Sequence, residues 1–163
     1  MCGITGFIGL NSTRLAEKNF REFNNSLNHR GPDSNGILFF EKENFWIGNS
    51  RLSIVDQNEK ANQPMYSYDK KYVISFNGEI FNYREIKKKC EENGYKFKSN
   101  SDTEIILAAF KIWGEDCLSL FNGDWAFAIY NLENKELLLS RDRFGVRPLY
   151  YINNNNFFCF ASE

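Results

Sequence analysis

Apolar runs and turn-forming residues alternate along the chain from its start. Residues 3–9 (GITGFIG) form a short apolar run punctuated by glycine, which predicts a strand. Leu15, Ala16, Phe20, Phe23 and Leu27 fall at helical spacing across residues 13–28, with Ser12 and Thr13 as candidate N-caps. Residues 29–36 (HRGPDSNG) are turn chemistry. Residues 37–40 and 45–48 read as strands joined by a charged turn, and residues 71–76 (KYVISF) as a strand ending at Asn77-Gly78. Helices are expected over 82–93 and 103–113, the second starting at Ser101-Asp102-Thr103-Glu104, which resembles a capping box. Residues 125–130, 137–140, 149–152 and 157–161 are apolar runs separated by turns, with Asn153 to Asn156 as the last turn. Strands therefore group at the two ends of the chain with helices between. That order points to an α+β fold, with helices packed on antiparallel sheet layers. We find neither an internal repeat nor a long linker. The final predicted strand is followed only by Ser162 and Glu163, so the chain is expected to be part of something longer.

Composition narrows this picture. At 163 residues and 42% hydrophobic content, the chain suits one domain, 1–163, with a sizeable core. Phe alone occurs 16 times, which favours large packed layers over a small stapled scaffold. A net charge of -1 gives no reason to expect a nucleic-acid or anionic-membrane partner. The one basic cluster, Lys87-Lys88-Lys89, lies on a predicted helix beside Glu91 and Glu92 and reads as a solvated face. The 4 cysteines (Cys2, Cys90, Cys117, Cys159) form no CxxC pair and share the chain with 1 His, against a zinc site or a disulfide framework. With neither a secretory signal nor an apolar membrane span, a reducing cytoplasm is the expected location.

Candidate chemistry begins at Cys2. Removal of Met1 would place a thiol and a free α-amine on one residue. The amine, with a pKa near ~7.7–8.0, can then act as the base that the thiol needs. His29 sits in a Gly-Pro turn and is read as holding that turn rather than as a catalytic partner. Asn77-Gly78 reads either as a hairpin turn or as an amide and a backbone N–H aimed at one oxygen, the donor pair of an oxyanion hole. Arg51, expected just after a strand, is either a surface arginine or a fork for a carboxylate. Asp102 is either a cap or first-turn residue, or the partner of an ammonium group.

Ten segments in order carry a family resemblance: Met1-Cys2-Gly3-Ile4-Thr5-Gly6, His29-Arg30-Gly31-Pro32-Asp33, Arg51-Leu52-Ser53-Ile54-Val55-Asp56, Gln63-Pro64-Met65, Asn77-Gly78-Glu79-Ile80-Phe81-Asn82-Tyr83, Ser101-Asp102-Thr103-Glu104, Gly123-Asp124-Trp125-Ala126-Phe127-Ala128, Arg141-Asp142-Arg143-Phe144-Gly145, Pro148-Leu149-Tyr150-Tyr151 and Phe160-Ala161-Ser162-Glu163. Together they resemble the class II glutamine amidotransferases, N-terminal-nucleophile (Ntn) hydrolases, and among them the asparagine synthetases. The resemblance implies a four-layer αββα sandwich of two antiparallel sheets flanked by helices. It implies Cys2 as nucleophile, Asn77 and Gly78 as oxyanion hole, and Arg51 on the α-carboxylate of glutamine. Glu79 and Asp102 would hold the α-ammonium, and main-chain groups at Leu52, Ile54 and Val55 would complete the pocket. Glutamine hydrolysis would then supply ammonia to an ATP-dependent synthetase domain that is missing from this chain. No cofactor is expected here, ATP and Mg belonging to that missing domain, and a homodimer is compatible. Two alternatives stand: a non-catalytic amidotransferase-like interaction module, and a glutaminase domain serving a sugar or peptide amidotransferase. Departures from the family pattern are Phe81, Asn131 and Arg147, none at a proposed catalytic position.

Overall fold

The computed structural model describes residues 1–53 and 61–163. Among the described residues, nine strands form two antiparallel sheets. The strands are β1 (Gly3–Gly9), β2 (Ser34–Phe40), β3 (Phe45–Arg51), β4 (Met65–Tyr66), β5 (Tyr72–Ile80), β6 (Gly123–Asn131), β7 (Leu137–Arg141), β8 (Tyr150–Asn153) and β9 (Phe157–Ala161). One sheet runs β2-β3-β1-β9-β8 and the other β4-β5-β6-β7. Helix α1 (Glu17–Asn25) covers the outer face of the first sheet. Helices α2 (Tyr83–Glu92) and α3 (Asp102–Trp113) cover the outer face of the second.

Period-two alternation sorts each strand between these layers. On β6, Trp125, Phe127 and Ile129 face α2 and α3, where they meet Ile86, Ile105 and Ile106. Ala126, Ala128 and Tyr130 face the other sheet, where they meet Ile4, Phe45, Ile47 and Phe160. On the far side of the first sheet, Phe20 of α1 stacks on Trp46 with ring centroids 5.3 Å apart. The result is the α/β/β/α order that the resemblance implies.

Several local expectations change. Ser12 and Thr13 do not cap α1, which begins at Glu17 behind Ala16. Asn11 and Ser12 have positive φ (45° and 68°), so the chain makes a tight turn there before the helix can start. The turn predicted over 29–36 is shorter, because β2 already begins at Ser34 to pair with Arg51. Asn77-Gly78 is not a hairpin turn. Both residues lie inside β5, paired with Ala126 and Trp125, and the strand continues to Ile80. Gly78 has φ 153°, and a Cβ there would stand 2.2 Å from the Asp124 carbonyl oxygen, so glycine serves close strand approach rather than a turn. Arg51 is the last residue of β3 rather than a residue beyond it. The short β4 and a 3-10 segment at Gly114–Leu120 carry too little periodicity to be read in advance.

The start of α3 follows half of the expected capping box. The Ser101 hydroxyl accepts from the Thr103 N–H at 3.2 Å. Glu104 does not return to the Ser101 N–H. Its carboxylate takes the N–H groups of Lys98 (2.9 Å) and Ser99 (2.7 Å), tying the preceding loop to the helix.

Candidate active site

Alternation also aims the candidate residues. Cys2 shares parity with Ile4 on β1, Arg51 with Ile47 and Asn49 on β3, and Asn77 with Val73 and Ser75 on β5. Ile4, Ile47 and Val73 all point into the space between the sheets. The Gly3–Ser50 pair brings Cys2 alongside Arg51, and α3 starts at the same end of the sandwich. One cavity there is lined by Met1, Cys2, Arg51, Leu52, Gln63, Phe76, Asn77, Gly78, Glu79, Ser101, Asp102, Thr103 and Arg147.

The Leu52 N–H donates to Cys2 Sγ at 3.3 Å, and the sulfur lies 3.7 Å from the Leu52 carbonyl oxygen. Burial pushes the Cys2 thiol up, while that N–H, the chain's ammonium terminus and Arg51 pull it down. Arg30 Nε donates to the Cys2 carbonyl at 3.0 Å and fixes the chain start from behind. His29, by contrast, is absent from the cavity lining and bonds the Ser26 carbonyl at 3.0 Å, in keeping with a role in its turn.

Arg51 is buried and donates from Nη1 to Asn62 Oδ1 at 3.0 Å. Asn77 is buried, and among the described residues its Nδ2 has no hydrogen-bond partner. A buried amide N–H without an acceptor costs about 1–3 kcal/mol, so a donor left open in the same cavity as a cysteine thiol marks a place for an incoming oxygen. Asp102 is the first residue of α3 and accepts from the Ile80 N–H at 3.4 Å. Burial pushes its carboxyl up to about 6, against the pull of the Ile80 and Thr103 N–H groups and with a further push from Glu79. Glu79 stands exposed on the cavity rim.

The structure thus gathers Cys2, Arg51, Leu52, Asn77, Gly78, Glu79 and Asp102 around one cavity. Ile54 and Val55, the other two residues expected there, lie outside the described residues. Gln63, Ser101, Thr103 and Arg147 also line it, although the sequence reading assigned them no role in the pocket. All four fall within or beside segments that carry the family resemblance, but nothing in their local pattern points inward. Arg147 is delivered by a turn wound on Asp142, whose carboxylate accepts the N–H groups of Phe144, Val146 and Arg147. Its Nη2 pairs with Asp124 at 3.1 Å.

Comparison with known proteins gives the same direction. A family model described as "Glutamine amidotransferase domain" matches residues 1–163. Asparagine synthetase [glutamine-hydrolyzing] 1 of Bacillus subtilis (strain 168) is 41% identical over 166 residues, covering 100% of this chain and 26% of that protein. Putative asparagine synthetase [glutamine-hydrolyzing] 2 of Methanocaldococcus jannaschii is 38% identical over 179 residues, covering 100% of this chain and 34% of its own length. Asparagine synthetase B of Escherichia coli (strain K12) is 36% identical over 151 residues, covering 92% of this chain and 26% of that protein. The chain therefore spans only a quarter to a third of the length of these relatives. Among solved structures, glutamine phosphoribosylpyrophosphate amidotransferase from B. subtilis superposes with a TM-score of 0.81 at 23% identity, over 99% of this chain and 42% of that one. That likeness shows a shared fold.

Proposed function

The chain belongs to the glutamine amidotransferase domain family, and from that premise we propose that it hydrolyses glutamine to glutamate and ammonia with Cys2 as nucleophile. The observation that carries this reading is the open, buried Asn77 amide in the same cavity as a cysteine one removal step from the N-terminus. With Met1 in place, the Cys2 nitrogen is in a peptide bond and cannot serve as base, so Met1 must be cleaved first. Sγ then attacks the side-chain amide carbon of glutamine, and its proton passes to the α-amine of Cys2. The carbonyl electron pair moves onto oxygen, held by Asn77 Nδ2–H and the Gly78 N–H. The α-ammonium protonates the amide nitrogen, the C–N bond breaks and ammonia leaves a thioester. Water, losing a proton to the same amine, adds to the thioester, and the C–S bond breaks to release glutamate and the thiol. The half-reaction balances without a metal or organic cofactor.

Charge complementarity supports the substrate. Free glutamine carries one carboxylate, suited to the Arg51 fork, and one ammonium, suited to Asp102 and Glu79. The convergence of Cys2, Arg51, Asn77, Gly78 and Asp102 argues against a non-catalytic module. The lengths of the relatives support a covalent link to an ATP-dependent synthetase part that consumes the ammonia. Phe144, at 91% exposure, with Val146, Tyr150, Tyr151 and Ile152, leaves exposed apolar side chains along residues 144–152, a candidate contact segment for that partner. Among the described residues no helix is long and apolar enough to cross a membrane.

The test is glutamate release from glutamine, paired with an intact mass of the same sample. Activity should follow loss of Met1 and vanish in Cys2→Ala. Glutamate release that survives in Cys2→Ala would sink the assignment of the nucleophile.

A further inference from the structure

Gln63 touches every element that carries a proposed recognition group. Its Oε1 accepts from the Phe76 backbone N–H at 2.6 Å and from Asn49 Nδ2 at 3.3 Å. Its Nε2 donates to Thr103 Oγ1 at 3.2 Å. Phe76 precedes Asn77 on β5. Asn49 lies two residues before Arg51, on the same face of β3. Thr103 follows Asp102 at the start of α3. Gln63 is only 6% exposed and itself lines the cavity. Its backbone is seated as well, since a Cβ on Gly36 of β2 would come within 2.1 Å of the Gln63 carbonyl oxygen. The Asn49 amide extends the brace to Ser75 Oγ (3.1 Å) and the Phe76 carbonyl (3.3 Å).

A glutamine side chain offers an acceptor and a donor on one rigid amide, without charge. An apolar residue of similar length would fill the space and leave the Phe76 N–H unpaired. We propose that Gln63 is a positioning residue that sets the mutual spacing of Arg51, Asn77 and Asp102, and so the fit of both ends of the substrate. The ligand's identity rests on the glutaminase reading. A displacement of about 1 Å at such a site can cost about 10²-fold in rate, so a single brace across three elements has leverage out of proportion to its bonds.

The experiment compares Gln63→Met and Thr103→Val with the parent, all with Met1 removed. Gln63→Met should lower kcat/KM for glutamine at least about tenfold, through both a lower kcat and a higher KM. Thr103→Val breaks only the tie to α3. It should raise KM several-fold with kcat within about twofold, and the double variant should have a KM no worse than Gln63→Met alone. Alkylation of Cys2 by iodoacetamide, which reads the thiol and requires no recognition of either end of glutamine, should stay within about twofold of the parent. Gln63→Met with kcat/KM within about twofold of the parent would overturn the proposal. So would alkylation falling in step with kcat/KM, because Gln63 would then only hold the pocket together. If Gln63→Met does not fold, Thr103→Val decides alone, and an unchanged KM overturns the proposal. Calorimetry with glutamine in a Cys2→Ala background separates the two readings. A parent that binds glutamine without hydrolysing it defeats the glutaminase reading. In that case binding at least about tenfold weaker in Gln63→Met still supports the brace, and equal binding overturns it.

Discussion

The two faces of the β5–β6 pair do opposite work on the same strands. Toward α2 and α3, Ile74, Phe76, Trp125, Phe127 and Ile129 meet an apolar helical surface. Toward the other sheet the face is graded. At one end Phe45, Tyr130 and Ala128 form a small apolar core, and at the other Asn49, Ser75, Asn77 and Gln63 form a buried polar set. Stability is concentrated where burial is complete and non-directional. The proposed chemistry is concentrated where polar groups are buried at specific points and, among the described residues, the Asn77 Nδ2 donor is left open. A one-residue slip of β5 against β6 would exchange these faces, so register protects both functions at once.

Changes at the polar end of the graded face and in the cavity beside it should remove activity with little loss of fold, and changes on the helix face should do the reverse. The largest effect is expected for Cys2→Ala, which should abolish glutamate release while the thermal midpoint barely moves. Asn77→Ala should come next, lowering kcat by about 10²–10³, as loss of an oxyanion donor does. Its stability should hold, because the Asn77 Nδ2 has no protein partner to lose among the described residues. A large drop in denaturation midpoint in Asn77→Ala would break the comparison. On the other face, Phe127→Ala should destabilise by about 3–5 kcal/mol in denaturant titrations, because Phe127 is fully buried between β6 and the helices.

A smaller effect sharpens the electrostatics. The Asp102 carboxyl is held up to about 6, above its ordinary 3.8, chiefly by burial. Its ionised form is therefore the disfavoured one. That destabilisation is absent below about 3.8, grows as pH rises toward about 6 and is constant above. Holding an ammonium group needs the ionised form. KM for glutamine should therefore fall as pH rises through about 6 and then level off, and Asp102→Asn should show a high, flat KM across the same range. The smallest effect is expected at the helix start. Ser101→Ala should cost about 1 kcal/mol by removing the cap on the Thr103 N–H, read as a shift in the denaturant midpoint.

Much of the element order was legible in the sequence, because short segments display their own period, while the stacking of four layers entered only as what the family resemblance implies. The β1 and β9 ranges match the apolar runs, and α3 begins one residue before the expected start, at Asp102. The α1 start was misread because Ser12 looks like a cap, although its positive φ makes it part of a turn. Asn77-Gly78 was ambiguous for a related reason. Asn-Gly favours hairpins when nothing pairs beyond it, and here Gly123 and Asp124 on β6 keep the pairing going.

By itself, then, the sequence determined which residues could react or recognise: a cysteine at position 2, an Asn-Gly pair, an arginine and an acid at a helix start. Only the tertiary structure decided that residues 2, 51, 77 and 102 meet in one cavity. Only it revealed Gln63 bracing three elements, the open Asn77 donor and the raised Asp102 carboxyl. The physical reason is that local conformation depends on neighbours in the chain. Desolvation and unpaired donors depend on which distant segments exclude water.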